Sequence, residues 1–130
     1  MNPLTTEWID KAEGDLLTAQ REYRARNKPN YDAACFHAQQ TAEKYLKVWL
    51  QEAEKAIPRI HNLVELVSLC IEVDSTYAIL EPELRGLAGY AVRTRYPGQN
   101  ATKEEALTAI KTSKNVRLFI RKKLGLANEV

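Results

Sequence analysis

Apolar residues recur every three or four positions along most of the chain, and this spacing is typical of one face of an α-helix. The first stripe extends from about Thr6 to Arg26 and consists of Trp8, Ala12, Leu16, Ala19 and Tyr23. A second stripe starts after Asn30, a residue type that often caps helices, and stops before Pro58. The two stripes predict two long amphipathic helices.

Two further stretches predict shorter helices. Residues 63–73 are apolar nearly all round, which favours a helix buried on most sides, although their β-branched residues leave a strand as an alternative. Residues 80–95 predict a fourth helix that is entered through Pro82 in its first turn.

The fifth helix has the clearest sequence signals at both of its ends. Thr102 and Glu105 form the T-x-x-E capping box, and Gly125 is suited to close the helix. Four prolines fall at or near the predicted helix ends, namely Pro29, Pro58, Pro82 and Pro97. The pattern predicts an all-α bundle of about five helices, a single domain over residues 1–130 with its core at about residues 6–125.

Composition narrows the class of protein further. The 130 residues are 45% hydrophobic and 28% charged, which suits one folded domain and excludes a disordered chain. A net charge of +2 is too small to indicate nucleic acid or a membrane surface by itself. The start, MNPLTTEWID, lacks the basic and apolar regions of a signal peptide. We therefore expect a cytoplasmic protein that does not contact a membrane.

The sequence lacks the motifs of dinucleotide-binding, P-loop and hydrolase proteins, and of zinc sites. The motifs GxGxxG, GxxxxGK and GxSxG are all absent. Cys35 and Cys70 lie in apolar periodic stretches, where a cysteine usually acts as a small buried hydrophobe. The two histidines, His37 and His61, form no pair with zinc-ligand spacing. We expect neither a metal nor a cofactor.

The most unusual local cluster is Arg93, Arg95 and Tyr96, just before the turn predicted at Pro97 and Gly98. Two guanidinium groups and a phenol close together could bind a phosphate. Alternatively, the arginines only complement the dipole at the end of the fourth helix. On the basis of this cluster alone, both interpretations stay open.

Two other surfaces have alternative interpretations. Gly86, Gly89 and Arg93 share one helix face, so another helix could approach closely there, either within the chain or across a dimer contact. Lys114 and Arg117 share a face of the fifth helix with Arg121, and this basic stripe either meets phosphate or, as is more usual, is solvated.

Polar residues also interrupt apolar stretches. Asp15 lies beside Leu16 in the first helix, and the second helix carries Gln39, Gln40, Glu43 and Lys44. Such groups either face water or form a polar seam between helices, because buried polar groups need partners. His61, at the predicted start of the third helix, is expected to be structural rather than a general base.

Four blocks of the sequence, in order, resemble the HEPN domain family. They are Trp8, Ala12, Asp15, Leu16 and Ala19; A-Q-Q-T-A-E-K-Y-L-K at 38–47; Ile60, His61, Leu63 and Leu66; and Arg95, Tyr96 and Pro97. The resemblance covers roughly residues 8 to 124. It implies an up-and-down α-helical bundle that is commonly a homodimer, often paired as toxin and antitoxin with a minimal nucleotidyltransferase.

Many members of this family resemble metal-independent RNases whose signature is an arginine followed, after four to six residues, by a histidine. Arg93 or Arg95 matches the arginine, but no histidine occurs after His61, and Asn100 stands where the histidine would fall. Asparagine forms hydrogen bonds but does not shuttle a proton near neutral pH. The resemblance therefore implies a severely weakened or absent nuclease.

We interpret the chain as a HEPN protein that binds a nucleotide, an RNA or a nucleotidyltransferase partner through Arg93, Arg95, Tyr96 and Asn100. Supporting roles are expected for Asp15, Gln40, Glu43 and His61. The enzyme alternative is an RNase toxin whose acid or base is Tyr96, His37 or Glu43. A third interpretation is a scaffold dimer whose arginines only decorate its surface.

Overall fold

The computed structural model describes residues 1–53, 55–56, 59–93 and 96–126. The helices are α1 (Pro3–Arg24), α2 (Tyr31–Glu52), α3 (Leu63–Val73), a 3-10 helix (Ser75–Leu80), α4 (Glu81–Arg93) and α5 (Lys103–Lys123). None of the residues in the described ranges forms a strand. The predicted all-α bundle of five helices is confirmed, and residues 63–73 are a helix.

The helix boundaries differ in places from the predicted ones. The first helix begins at Pro3 rather than Thr6, because the Asn2 side chain accepts a hydrogen bond from the Leu4 amide at 2.8 Å. The 3-10 helix before α4 was not predicted, and the Asp74 side chain caps it by accepting from the Thr76 amide at 3.0 Å. Pro58 and Arg95 lie outside the described residues.

Helix α2 lies at the centre of the bundle and packs against α1, α3, α4 and α5. Its most extensive contact is with α1. Five alanines on these two helices are completely buried: Ala12, Ala19, Ala34, Ala38 and Ala42. Because alanine side chains are small, they allow the two backbones to approach closely while larger side chains of α2, such as Tyr45 and Leu46, fill the remaining core.

The two cysteines are buried, as the sequence predicts. Burial raises the pKa of the Cys35 thiol to about 11 and that of Cys70 to about 12. A thiol with a raised pKa carries little thiolate near neutral pH and reacts slowly. Both cysteines therefore act as core hydrophobes.

Four helix ends meet at one end of the bundle. The C-terminal end of α1 lies beside the start of α2, where the rings of Tyr23 and Tyr31 are 6.2 Å apart. The start of α2 in turn contacts Ala101, two residues before the start of α5, and the end of α4 contacts the first turn of α5. The segment 96–100 connects α4 to α5 here, and we call this the turn end of the bundle.

Candidate binding site at the turn end

The segment 96–100 is exposed at all five positions. The Gln99 amide donates a hydrogen bond to the Tyr96 carbonyl oxygen at 3.1 Å, which closes a tight turn with Pro97 and Gly98 at its centre. Gly98 has a φ of +82°, as the third position of a type II turn requires. Proline and glycine therefore specify the turn that presents the neighbouring polar side chains.

An ion pair anchors the chain before the turn. A guanidinium nitrogen of Arg93 donates to Oε2 of Glu105, and the Arg93 guanidinium lies 5.5 Å from the centre of the Tyr90 ring. The other carboxylate oxygen of Glu105 accepts from the Thr102 amide at 2.9 Å, completing the predicted capping box of α5. The hydrogen bond from Arg93 is the main cause that lowers the pKa of Glu105. Glu105 thus joins the end of α4 to the start of α5.

A second contact anchors the chain after the turn. The Ala101 amide donates to Oδ1 of Asp32 at 2.6 Å, and Ala101 is buried. Asp32 lies in the first turn of α2, where a carboxylate also interacts favourably with the helix dipole. The segment is therefore held to two different helices, one at each of its ends.

Replacing Asp32 with alanine is expected to lower the free energy of unfolding by about 1 to 2 kcal/mol, because the buried Ala101 amide loses its charged acceptor. Chemical denaturation measures this change. Asp10→Ala, which removes an exposed carboxylate from α1, is the matched control and should change stability by less than about 0.5 kcal/mol. Equal effects of the two substitutions would show that Asp32 does not anchor the segment.

The structure brings three of the four predicted ligand-binding residues to the turn end. Arg93 is held by Glu105 and remains partly exposed, whereas the Tyr96 side chain is 62% exposed. Asn100 is exposed. Arg95, the fourth residue, lies outside the described ranges. Arg93 therefore acts first as an anchor of the turn, whereas Tyr96 and Asn100 are accessible to a ligand.

Asp15 belongs to a polar seam between α1 and α2. Its carboxylate accepts from Nδ1 of His37 at 2.9 Å and from Nζ of Lys44. The Asp15 side chain is only 13% exposed, so these two partners compensate for its removal from water. The seam interpretation is therefore the correct one for Asp15, which lies apart from the turn end.

Glu43 forms a second polar cluster nearer the C-terminal end of α2. Its Oε2 accepts from Nζ of Lys47 at 3.2 Å and from Nδ1 of His61 at 2.9 Å. Glu43 and Lys47 are buried, whereas the His61 side chain is 79% exposed. Glu43 lies eleven residues beyond Asp32, about 16 Å along the helix. Glu43 and His61 are therefore not joined to the turn end within one chain. Gln40 lies on α2 between Asp32 and Glu43 and is half-buried.

The basic stripe on α5 is solvated only in part: Lys114 is exposed, but Arg117 turns inward, so the solvated interpretation is wrong for Arg117. Nε and a terminal nitrogen of Arg117 donate to the two carboxylate oxygens of Glu13 on α1, at 2.7 and 2.9 Å. Tyr45 also donates to Glu13, at 2.6 Å, and Arg121 lies 3.5 Å from the Tyr45 hydroxyl. Sequence periodicity could not predict this, because the partner of Arg117 lies 104 residues away in the chain.

Glu13 and Asp32 are carboxylates with structural roles that were not predicted from the sequence. Asp32 had a weak signal, since acidic residues are common in the first turn of a helix. Glu13 had none, because it looked like one more polar position between the apolar residues of α1.

Gly86 and Gly89 are exposed on α4, and a side-chain carbon built at either position would contact no described residue within 4 Å other than the backbone of its own helix. Close packing within the chain is therefore not the reason for these glycines. Gly86 lines a groove of about 400 Å³ between α4 and α5, together with Tyr90 and Lys111. The glycine face is open in the single chain.

Two further findings concern the described part of the chain. Within it, no three residues with histidine, cysteine, aspartate or glutamate side chains are arranged to hold a metal ion. No helix in the same part combines the length and the apolar character that crossing a membrane requires.

The protein is thus an all-α helical bundle that presents an anchored, exposed turn with aromatic and polar side chains. The HEPN domain family model matches residues 5–123, so the chain belongs to the HEPN domain family and the resemblance noted in its sequence is confirmed. Among solved structures, it is similar to the crystal structure of TT1696 from Thermus thermophilus. The TM-score is 0.73 at 22% identity, over 92% of this chain and 97% of the other, which shows a shared fold. A comparison with curated proteins finds no match.

Proposed function

We propose that this HEPN protein binds RNA at the turn end, through Arg95, Tyr96 and Asn100, and that it does not cleave RNA efficiently. The observation that carries the proposal is the exposed segment 96–100, which is anchored on one side by Glu105 and on the other by Asp32. An anchored turn loses little conformational entropy when a ligand binds.

The side chains of the turn have the chemistry that RNA requires. The exposed ring of Tyr96 offers a surface on which a base can stack, and such stacking contributes about 1 to 3 kcal/mol per base. Asn100 can both donate and accept hydrogen bonds. Arg95, placed by the sequence directly before Tyr96, has a guanidinium group that binds phosphate with two parallel hydrogen bonds.

Efficient cleavage is best served by an imidazole, which transfers protons near neutral pH, and the segment 96–100 contains no histidine. The chain contains only two histidines, and each donates a hydrogen bond to a carboxylate elsewhere: His37 to Asp15 and His61 to Glu43. Asn100 cannot take over the proton transfer near neutral pH. These contacts support binding over the alternative in which His37 or Glu43 completes an RNase site within one chain.

Arg95→Ala is expected to weaken binding of a 12-nucleotide single-stranded RNA at least 10-fold, because the phosphate loses a two-pronged partner. Arg95→Lys should weaken binding several-fold although it keeps the charge, since lysine does not reproduce the fork. Tyr96→Ala should also weaken binding, through loss of stacking. Fluorescence anisotropy with a labelled RNA measures all three affinities.

The control for these variants is Arg85→Ala, which removes an exposed arginine paired with Glu81 at the start of α4. Its affinity for the RNA should match that of the wild type. Absence of RNA binding by the wild type, or an equal loss in Arg85→Ala and Arg95→Ala, would refute the proposed site.

The family resemblance also supports a pairing with a minimal nucleotidyltransferase, in the manner of toxin and antitoxin. A nucleotidyltransferase gene beside the gene for this chain, and co-purification of the two products, would support that pairing. A chain encoded alone, with no such protein bound to it after purification, would favour the scaffold interpretation.

We further expect a homodimer with α4 at or near the contact, because Gly86 and Gly89 leave an open face there. Gly89→Glu should then convert the dimer to a monomer in sedimentation at micromolar concentration. In a monomer, Gly89→Ala should raise the free energy of unfolding by about 0.5 to 1 kcal/mol, because glycine is unfavourable inside a helix. A dimer that is indifferent to Gly89→Glu would contradict this placement.

A further inference from the structure

A group of cations at the C-terminal end of α1 takes no part in the contacts described so far. It consists of Arg21, Arg24, Arg26 and Lys28, and all four are exposed. None of the four forms an ion pair with any residue in the described ranges. We call them the α1 cations.

The α1 cations concentrate charge that the chain as a whole does not have. Residues 21–28 contain these four cations and one carboxylate, Glu22, and so carry a net charge of +3. The net charge of all 130 residues is only +2. The positive charge of the protein is therefore unevenly distributed, and this segment carries a large local excess of it.

The α1 cations lie at the turn end of the bundle. The end of α1 packs beside the start of α2 through Tyr23 and Tyr31, and Asp32, the next residue, holds the backbone at Ala101. Two carboxylates at this end, Asp32 and Glu105, are already committed to hydrogen bonds within the protein. They are thus less able to neutralise the α1 cations.

Complementing the dipole of α1 does not account for the whole group. Only Arg21 and Arg24 lie in the last turn of the helix, where a cation contributes a few tenths of a kcal/mol. Arg26 and Lys28 follow the helix end, beyond the reach of this effect.

The surface around the α1 cations suits a flexible polyanion. Arg21 and Arg24 line an open groove of about 360 Å³ together with Gln20, whose side chain adds hydrogen-bonding groups, and Leu17. Leu17 is the one large apolar side chain in this groove, too little to form the apolar face by which a helix binds to a membrane.

We propose that the α1 cations form a second phosphate-binding surface that continues the site at the 96–100 segment, so that the ligand is a single-stranded RNA of several nucleotides rather than a mononucleotide. This proposal rests on the proposed function. The bases stack at Tyr96, and the backbone runs across the turn end to the α1 cations, which bind successive phosphates.

The test uses two double variants, Arg21→Gln with Arg24→Gln, and Arg26→Gln with Lys28→Gln. For single strands the logarithm of affinity falls with the logarithm of salt concentration by about 0.7 per phosphate contact. Each double variant should therefore reduce this slope by about 1.4 and weaken binding of a 12-nucleotide oligouridylate roughly 10-fold at 0.1 M salt. Binding of uridine monophosphate should not change.

The matched control is Lys55→Gln with Arg59→Gln, which removes two exposed cations beyond the opposite end of α2. Its salt slope should equal that of the wild type. Thermal denaturation monitored by circular dichroism verifies that all variants fold, since exposed substitutions of this kind change stability little.

The outcomes separate the two proposals. If Arg95→Ala weakens binding of the oligouridylate but both α1 double variants bind like the wild type, the second surface is refuted and the proposed function stands. If the α1 variants lose binding while Arg95→Ala does not, RNA binds at the α1 cations alone, which refutes both the site at the 96–100 segment and its continuation. Equal affinity of the wild type for uridine monophosphate and for the oligouridylate also refutes the second surface. No binding to either ligand refutes both proposals.

Discussion

Replacing Asn100 with histidine is expected to raise metal-independent cleavage of RNA by about 100-fold, the lower end of the range that a positioned general acid or base supplies. By the family resemblance, Asn100 stands where HEPN RNases have their histidine, and it is exposed on the anchored segment. The substitution adds an imidazole that can transfer protons near neutral pH. Cleavage of a fluorogenic RNA in the presence of a chelator measures the rate.

The matched control is Gln99→His, which adds the same imidazole at the adjacent exposed position. Gln99→His should leave cleavage near background, and adding Arg95→Ala to Asn100→His should abolish the gain. The same gain in both histidine variants would mean that position 100 has no special geometry. Robust cleavage by the wild type, lost in Arg95→Ala, would instead support the RNase alternative.

Glu13→Gln is expected to destabilise the protein by about 2 kcal/mol at pH 7, at least as much as Asp32→Ala. The substitution removes the carboxylate that accepts two hydrogen bonds from Arg117 and one from Tyr45. Removing one partner of a fully buried ion pair costs about 3 to 5 kcal/mol. The expected value is lower because the Glu13 side chain is 32% exposed. Denaturation with urea measures it.

The effect of Glu13→Gln should depend on pH in a defined direction. Burial alone would raise the pKa of Glu13, but the hydrogen bonds from Arg117 and Tyr45 outweigh it, and the pKa lies below the ordinary value of 4.5. The stabilisation is therefore fully present above about pH 4.5 and is lost as the pH falls through the lowered pKa. The difference in the free energy of unfolding between the wild type and Glu13→Gln should be constant between pH 6 and 8 and should shrink in acid.

Asp10→Asn provides the control, because Asp10 is exposed on the same helix. Its stability should follow that of the wild type within about 0.5 kcal/mol at every pH. A difference between wild type and Glu13→Gln that persists unchanged at pH 2 to 3 would contradict an electrostatic role for Glu13.

Much of the fold could be predicted from local sequence signals. The capping box of Thr102 and Glu105 begins α5 where expected, and the apolar periods of α1 and α2 define the faces that are buried. The two helix boundaries that were predicted incorrectly also depend on neighbouring residues. Asn2 extends α1 by about one turn, and the Asp74 cap creates the 3-10 helix before α4. Short polar caps of this kind compete with periodicity and are easily overlooked.

The candidate site could be predicted only in part. The order of Arg93, Arg95, Tyr96 and Pro97 in the sequence is sufficient to locate the cluster and its turn. The structure places Asp15, and Glu43 with His61, in polar clusters apart from the turn end of the same chain, so their supporting roles stay a prediction. A shared helix does not imply a shared site, because residues eleven positions apart on a helix are separated by about 16 Å.

The sequence by itself determined the helices, their buried faces, the turn at Pro97 and Gly98, and the absence of a histidine after His61, because each depends on neighbouring residues or on composition. The tertiary structure alone decided that Asp32 anchors Ala101, that Arg117 turns inward to Glu13, and that the cations at the end of α1 lie at the turn end. These contacts join residues far apart in the chain. They depend on how the helices pack around α2, which no local pattern specifies.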